Sequence, residues 1–244
     1  HALRVLGEIK DAEANLQALL GAEVGQLSVG LVSTAKYFMP RLLAQFAQQH
    51  PGVEVQFTVG NREALLQKLQ DNAIDLAVMG RIPVEIDAHA EPMASHPYVL
   101  IGPADHPLRD ARRFDLHELR RETFLLREEG SGSRRVAEEM FKNHLFTPAR
   151  TISMGSNETI KQAVMAGMGI ALISLHTLPL ELKTAEVSVL DVIGTPIERT
   201  WYVVHMNSKR LLPAGQRFRQ FLLDEAAPGL DQEFGRYLVT RSTS

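Results

Sequence analysis

QLSVGLVSTAKYFMPRLLAQFAQQHPGVEVQFTV, residues 26–59, switches between two hydrophobic periods. Gln26 to Val32 alternates and is rich in β-formers, which predicts a strand. Phe38 to Gln49 sets Leu42, Leu43 and Phe46 on one helical face, and Val53 to Val59 alternates again. Strand, helix and strand in that order make one βαβ unit. Immediately downstream, Asn61 to Asn72 carries Leu65, Leu66 and Leu69 at helical spacing. Asp75 to Met79 (DLAVM) is then a short, nearly continuous apolar run of the kind that parallel sheets bury. The first lobe thus has at least three strands and two crossovers.

The same cadence returns further along the chain. Strands are expected at Thr123 to Leu126, Thr151 to Met154 and Ile170 to Ser174, with helices at Ser133 to Leu145 and Asn157 to Met168 between them. No residue-level identity accompanies the repeated spacing, so it speaks for a repeated architecture and not for a copied sequence. Between the repeats, the strand Tyr98 to Ile101 enters Gly102-Pro103-Ala104-Asp105-His106-Pro107, a plausible first crossing between lobes. Thr200 to His205 (TWYVVH) precedes a last helix that opens at Pro213 and carries Phe218, Phe221 and Leu222, and there the chain could cross back. The expected organisation is an α/β fold of two lobes joined by two crossover strands: residues 26–102 with 206–238 form the first lobe and 103–205 the second. Ligands in open α/β sheets bind beyond the carboxyl ends of the strands, so a cleft between lobes is the expected place for function.

Before the first strand, residues 1–20 carry Leu3, Leu6, Ile9, Leu16, Leu19 and Leu20 mostly at helical spacing with charges between them. This predicts one amphipathic helix roughly 30 Å long. Its apolar stripe either packs on the body of its own chain or pairs with another subunit.

The composition narrows the chemistry. Of 244 residues, 45% are hydrophobic and 23% charged, the balance of a folded chain with a sizeable core. With no cysteine, disulfides, thiolate metal sites, iron–sulfur clusters and cysteine nucleophiles are excluded. A net charge of −3 is wrong for a surface that grips a phosphate backbone, so this segment is not expected to hold DNA. The lack of a long apolar run or a secretory pattern predicts a cytoplasmic chain with no membrane partner.

Enzyme signatures are poor. Nine histidines are scattered without H-E-x-x-H or another close pair, so no metal site is expected. Gly130-Ser131-Gly132 and Gly167-Met168-Gly169 lack the third glycine of a dinucleotide fingerprint, and neither a P-loop nor G-x-S-x-G occurs. Glu128-Glu129 reads as a loop charge run and not as an acid–base couple. No catalytic residue is expected.

Three candidate helix starts are rich in hydroxyl and amide side chains: Ser33-Thr34, Ser131-Gly132-Ser133 and Ser156-Asn157. Each offers a capping oxygen and free backbone N–H groups at the positive end of a helix, a ready anion site. The same residues also cap helices with no ligand present; two such starts at equivalent places in two repeats favour a ligand. Lys36, Arg62, Arg81, Arg127, Arg134 and Arg135 lie near these loops, Arg81 just past the DLAVM strand. Singly they read as surface charges, and together they favour an anionic ligand.

GQLSVGLVSTA (25–35), PRLLAQFAQQHPGVEVQ (40–56), LLQKLQDNAIDLAV (65–78), VLIGPADHPL (99–108) and IKQAVMAGMGIALIS (160–174) resemble, in order and spacing, the effector-binding half of LysR-type transcription regulators. Their wording is similar to that of regulators of carbon-fixation operons, the activators of ribulose-bisphosphate carboxylase genes. The resemblance implies two Rossmann-like lobes of the type 2 periplasmic-binding-protein kind, with the effector held between them. It implies that residues 1–20 are a dimerising linker helix, and that DNA is contacted only through an N-terminal winged helix-turn-helix absent from these residues. It places Ser33 and Thr34, Asn61, and Gly130, Ser131 and Ser133 at the effector. Arg81, Arg134 and Asn157 join them from the loop chemistry above. The implied partners are a small anionic metabolite and a second copy of the chain, as homodimer or homotetramer. Phosphoenolpyruvate, a sugar phosphate or NADPH are the implied effectors, and no bound cofactor is expected. A periplasmic-type solute-binding protein is the alternative, and a two-lobed enzyme would need a positioned acid or base that the sequence does not offer.

Overall fold

The computed structural model describes residues 25–239. The amphipathic helix expected over residues 1–20 lies outside them. The chain divides into two compact units, 25–95 with 200–239 and 96–199.

In the first unit, β1 (Gly25–Val32), α1 (Met39–Gln49), β2 (Val53–Gly60), α2 (Arg62–Gln70) and β3 (Leu76–Met79) follow the expected cadence. β1 pairs in parallel with β2 and with β3, as strands joined by helical βαβ crossovers do. Two antiparallel strands complete the sheet, β10 (Thr200–Met206) beside β3 and β4 (Ala88–Ser95) at the edge, in the order β2-β1-β3-β10-β4. One face of the sheet rests on Leu65, Leu69, Ile74 and Met79. In the same unit, Phe46 of α1 packs against Phe218 and Phe221 at centroid distances of 4.9 and 5.6 Å, and Trp201 meets Phe38 edge-on at 5.2 Å. Phe218 and Phe221 lie on α6 (Pro213–Phe221), which passes through a π turn at Leu222–Ala226 into α7 (Ala227–Val239).

The second unit contains β5 (Tyr98–Pro103), β6 (Thr123–Arg127), α3 (Gly132–Asn143), β7 (Arg150–Met154), α4 (Asn157–Met165), β8 (Ala171–Ser174), α5 (Pro179–Lys183) and β9 (Val187–Leu190). β7 and β6 are parallel, and β8, β5 and β9 form an antiparallel set. Ile170, just before β8, bridges Phe124 in parallel and exchanges hydrogen bonds with β6, Leu125 N to Ile170 O at 2.8 Å and Ile170 N to Thr123 O at 2.9 Å. The strand sequence β7-β6-β8-β5-β9 therefore repeats β2-β1-β3-β10-β4 in both order and sense. Its core centres on Phe124, Phe141 and Phe146, three rings 5.1 to 5.6 Å apart, together with Leu100, Val136, Met140 and Leu172. Fully burying each such side chain is worth about 1.5–3 kcal/mol.

The chain changes unit earlier than the sequence suggests. The divisions fall at 95/96 and 199/200, not at 102/103 and 205/206. The reason is strand pairing: β5 is hydrogen-bonded on both sides within the second unit, and β10 on both sides within the first. Each strand begins just after its crossing. Gly102-Pro103-Ala104-Asp105-His106-Pro107 is instead a turn that closes β5, with buried His106 accepting a hydrogen bond through Nδ1 from the Leu108 N–H at 3.1 Å. A Cβ on Gly102 would lie 2.9 Å from the His106 ring, so the glycine and the histidine are fitted to each other.

Candidate functional site

The end of β6 organises the second unit's loops. Arg127 is buried at 7% exposure, yet each nitrogen of its guanidinium donates a hydrogen bond. Nε and Nη2 each donate to Glu128 at 2.7 Å, and Nη1 donates to Asn157 Oδ1 at 2.8 Å. Glu128, expected to be loop charge, is thus an ion-pair partner; burial pushes its carboxyl up, but the Arg127 bond and charge, with a backbone hydrogen bond, together hold it below the usual range. Gly130, at φ +81°, takes the left-handed place in a turn closed by Ser131 N to Glu128 O at 3.2 Å.

That turn delivers the chain to α3. The helix begins at Gly132 with Ser131 as its N-cap residue, and the Ser131 hydroxyl makes no capping bond. The first-turn N–H groups of a helix have no intrahelical acceptors and carry the positive end of its dipole. Ser133 is buried, with Oγ 3.4 Å from Tyr98 Oη. Arg134 bends back along the loop, Nη1 donating to Arg127 O at 3.2 Å and Nε to Glu138 at 2.6 Å.

α4 starts differently. Ser156 caps it, Oγ accepting from Thr159 N at 3.1 Å, so this start satisfies itself. Asn157 is the first helical residue and is 1% exposed. Its Oδ1 is held by Arg127, while its buried Nδ2 donates to no described residue. An orphaned amide donor of this kind is uncommon in a folded protein. The structure brings Arg127, Gly130, Ser131, Ser133, Arg134 and Asn157 onto one loop-and-helix junction of the second unit.

In the first unit the expected residues are less coherent. No α-helix starts at Ser33-Thr34: Thr34 is buried and precedes a single 3-10 turn, Ala35–Tyr37, and Phe38 occupies the N-cap position of α1. The turn intervenes because Pro40 fits only the first turn of an α-helix, which fixes the start at Met39. Asn61 caps α2, Oδ1 accepting from Ala64 N at 2.9 Å, a role that needs no ligand. Arg81 pairs with Glu85 at 2.9 Å, and Arg62 holds the same carboxylate at 2.7 Å while donating to Arg81 O and Ile82 O. Arg62 presses the Glu85 carboxyl down to about 2, so Arg81 faces an ionised partner.

Sequence reasoning missed a set of buried polar groups in the second unit. His96 Nε2 lies 3.0 Å from Ser174 Oγ, and its ring sits 4.8 Å from Tyr98 and 5.8 Å from His176. Lys161 Nζ donates to Thr177 O at 2.9 Å and pairs with Glu181 at 2.7 Å. Burial drives His176 down to about 3 and His96 well below the usual imidazole range, so both rings are neutral. These residues are scattered singly through the sequence, and only their joint burial signals them. Among the described residues no helix is long and apolar enough to cross a membrane.

The LysR substrate binding domain family model matches residues 21–227. The HTH-type transcriptional regulator CfxR of Cupriavidus necator is 63% identical over 241 residues, covering 99% of this chain and 76% of that protein. The RuBisCO operon transcriptional regulator of Allochromatium vinosum is 43% identical over 93% of this chain and 76% of its own length. Among solved structures, the regulatory domain of CcmR from Synechocystis PCC6803 in complex with 2-PG has a TM-score of 0.77 and 40% identity. It covers 82% of this chain and 96% of that one. By sequence along nearly its full length and by fold, this chain belongs to the LysR substrate-binding-domain family.

Proposed function

We propose that this chain is the effector-sensing part of a LysR-type regulator of carbon-fixation genes and that its effector is a small phosphorylated acid. The observation that carries the reading is the agreement of nearly the whole chain with regulators of this kind, the RuBisCO operon regulator among them. The 2-PG complex of the 40% identical CcmR domain supports the ligand class. A solute-binding role is not favoured, since these relatives are transcription regulators. The regulator acts in the cytoplasm as a homodimer or homotetramer, and DNA is contacted by a helix-turn-helix portion outside these 244 residues.

In the second unit, the site proposed for the anion is the start of α3. Ser131 Oγ is not spent on capping, the first-turn N–H groups have no intrahelical acceptors, and Asn157 Nδ2 is a further buried donor. Arg127 and Arg134 shape this junction, with their charges balanced by Glu128 and Glu138. Ser33 and Thr34 are proposed separately, as anion contacts within the first unit. Asn61 and Arg81 already have full structural roles, as cap and as ion-pair partner.

A thermal-shift panel of 2-phosphoglycolate, phosphoenolpyruvate, ribulose bisphosphate and NADPH tests the reading. A ligand at 100 times its Kd adds about 2.7 kcal/mol of stability. Stabilisation by a phospho-acid is expected, and silence from every phosphorylated compound would contradict the proposed effector class. A separate titration of Thr34→Ala asks whether the first unit takes part; unchanged affinity would remove Ser33 and Thr34 from the site.

A further inference from the structure

β4 and β10 pair antiparallel with His205 opposite His89 and Val203 opposite Glu91. Strand alternation places His89, Glu91 and His205 on one face of the sheet. Ala88, Ala90, Tyr202, Val204 and Met206 belong to the other face, packed on the cluster around Leu65 and Met79. One ligand atom from each of His89, Glu91 and His205 lies within 4.8 Å of the other two. His89 Nε2 is 3.7 Å from the Glu91 carboxylate, and the two imidazole centroids are 5.3 Å apart. Tetrahedral zinc with ligands at about 2.0–2.1 Å sets its donor atoms roughly 3.3 Å from one another, so small side-chain movements would close the set.

Two further contacts prepare these groups. His205 Nδ1 lies 3.2 Å from Met206 O, which assigns the ring proton to Nδ1 and leaves the Nε2 lone pair for a ligand bond. Arg219 of α6 pairs with both oxygens of Glu91, which fixes the carboxylate in place. A carboxylate has about four lone-pair sites, so the paired Glu91 still has capacity for a metal. His89, with about half its side chain exposed, gives the ion a way in and leaves room for water in the open position.

We propose that His89, Glu91 and His205 form a binding site for a divalent transition metal of borderline softness, with zinc as the best fit to two imidazoles and one carboxylate. The site lies wholly in the first unit and does not depend on the effector reading. The nearby Arg219 charge makes it a site of moderate affinity, suited to a reversible ion and not to a permanent structural one.

Cobalt(II) is the probe, titrated into the chain carrying no added histidine tag and followed by its ligand-field absorption. One saturable equivalent with the intense bands of four- or five-coordination is expected, bleached by zinc. His89→Ala and His205→Ala should each weaken binding by about tenfold or more. His117→Ala, an exposed histidine beside Asp115, should leave it unchanged. Circular dichroism of each variant separates loss of a ligand from loss of fold, and His89→Ala, at an exposed ring, should fold normally. Weak six-coordinate absorption alone would overturn the proposal, as would saturation that survives in both ligand variants.

Discussion

Arg127 Nη1 donates to Asn157 Oδ1 at 2.8 Å and so ties the end of β6 to the first turn of α4. With Arg134 donating to Arg127 O, one residue bonds to the starts of both helices, through its guanidinium to α4 and through its backbone carbonyl to α3. The ion pair with Glu128 balances its charge without occupying Nη1. What the arrangement offers a ligand is donors: the helix N–H groups, the Ser131 hydroxyl and the Asn157 amide.

Arg127→Lys keeps the charge and removes the fork, since an ammonium cannot hold Glu128 with two parallel bonds while reaching Asn157. Each lost charge-assisted bond is worth about 1.5–3 kcal/mol. Urea denaturation should show a loss in that range, and a variant within about 0.5 kcal/mol of the parent would contradict the organising role given to Arg127.

Acid should destabilise the second unit through its buried histidines. His176 stays neutral down to about pH 3 in the folded chain but titrates near 6.5 when unfolded. Below pH 6.5 the unfolded state therefore binds more protons, so stability is full above 6.5 and falls as the pH drops toward 3, by about 1.4 kcal/mol per pH unit for such a group. His176→Gln should make the acid limb of a stability–pH curve shallower by that slope. An unchanged limb would mean that the ring is not held neutral.

Lys161 and Glu181 form a buried pair at 2.7 Å, with Glu181 Oε2 making no further hydrogen bond to a described residue. Lys161→Met should cost about 3–5 kcal/mol by stranding a buried carboxylate. Adding Glu181→Leu should recover much of the loss, because well-packed apolar replacements of both partners are often close to neutral. Chemical denaturation of both variants reads this, and a double variant no more stable than the single one would contradict it.

The parallel cores of both units were legible because their apolar periodicity is strong: β1, α1, β2 and α2 fall within a few residues of where QLSVGLV, Leu42 with Phe46, VEVQFTV and Leu65 with Leu69 place them. β4 was not. AHAEPMAS is polar and holds Pro92, and such a strand is tolerated because it lies at the sheet edge, where a missing N–H costs little and a bulge opposite Trp201 and Tyr202 absorbs the register shift. α7 was equally hidden: it holds Pro228 and Gly229 and runs on from a π turn. The Gly167-Met168-Gly169 run has a structural purpose. Gly167, at φ +74°, ends α4, and a Cβ on Gly169 would lie 2.2 Å from Thr123 O, blocking the bridge between Ile170 and β6. Of the candidate site, the Ser131 junction was visible in its hydroxyls. The Arg127–Asn157 bond and the His89–His205 pair were not, because residues brought together across strands and helices leave no local spacing to read.

Isothermal titration of this chain and of its Ser131→Ala and Asn157→Ser variants with 2-phosphoglycolate tests the central claim most directly. Saturable one-to-one binding by the parent chain and weaker binding by both variants are expected, with each variant still unfolding cooperatively. Absence of binding to the parent, or equal affinity in all three proteins, would contradict it.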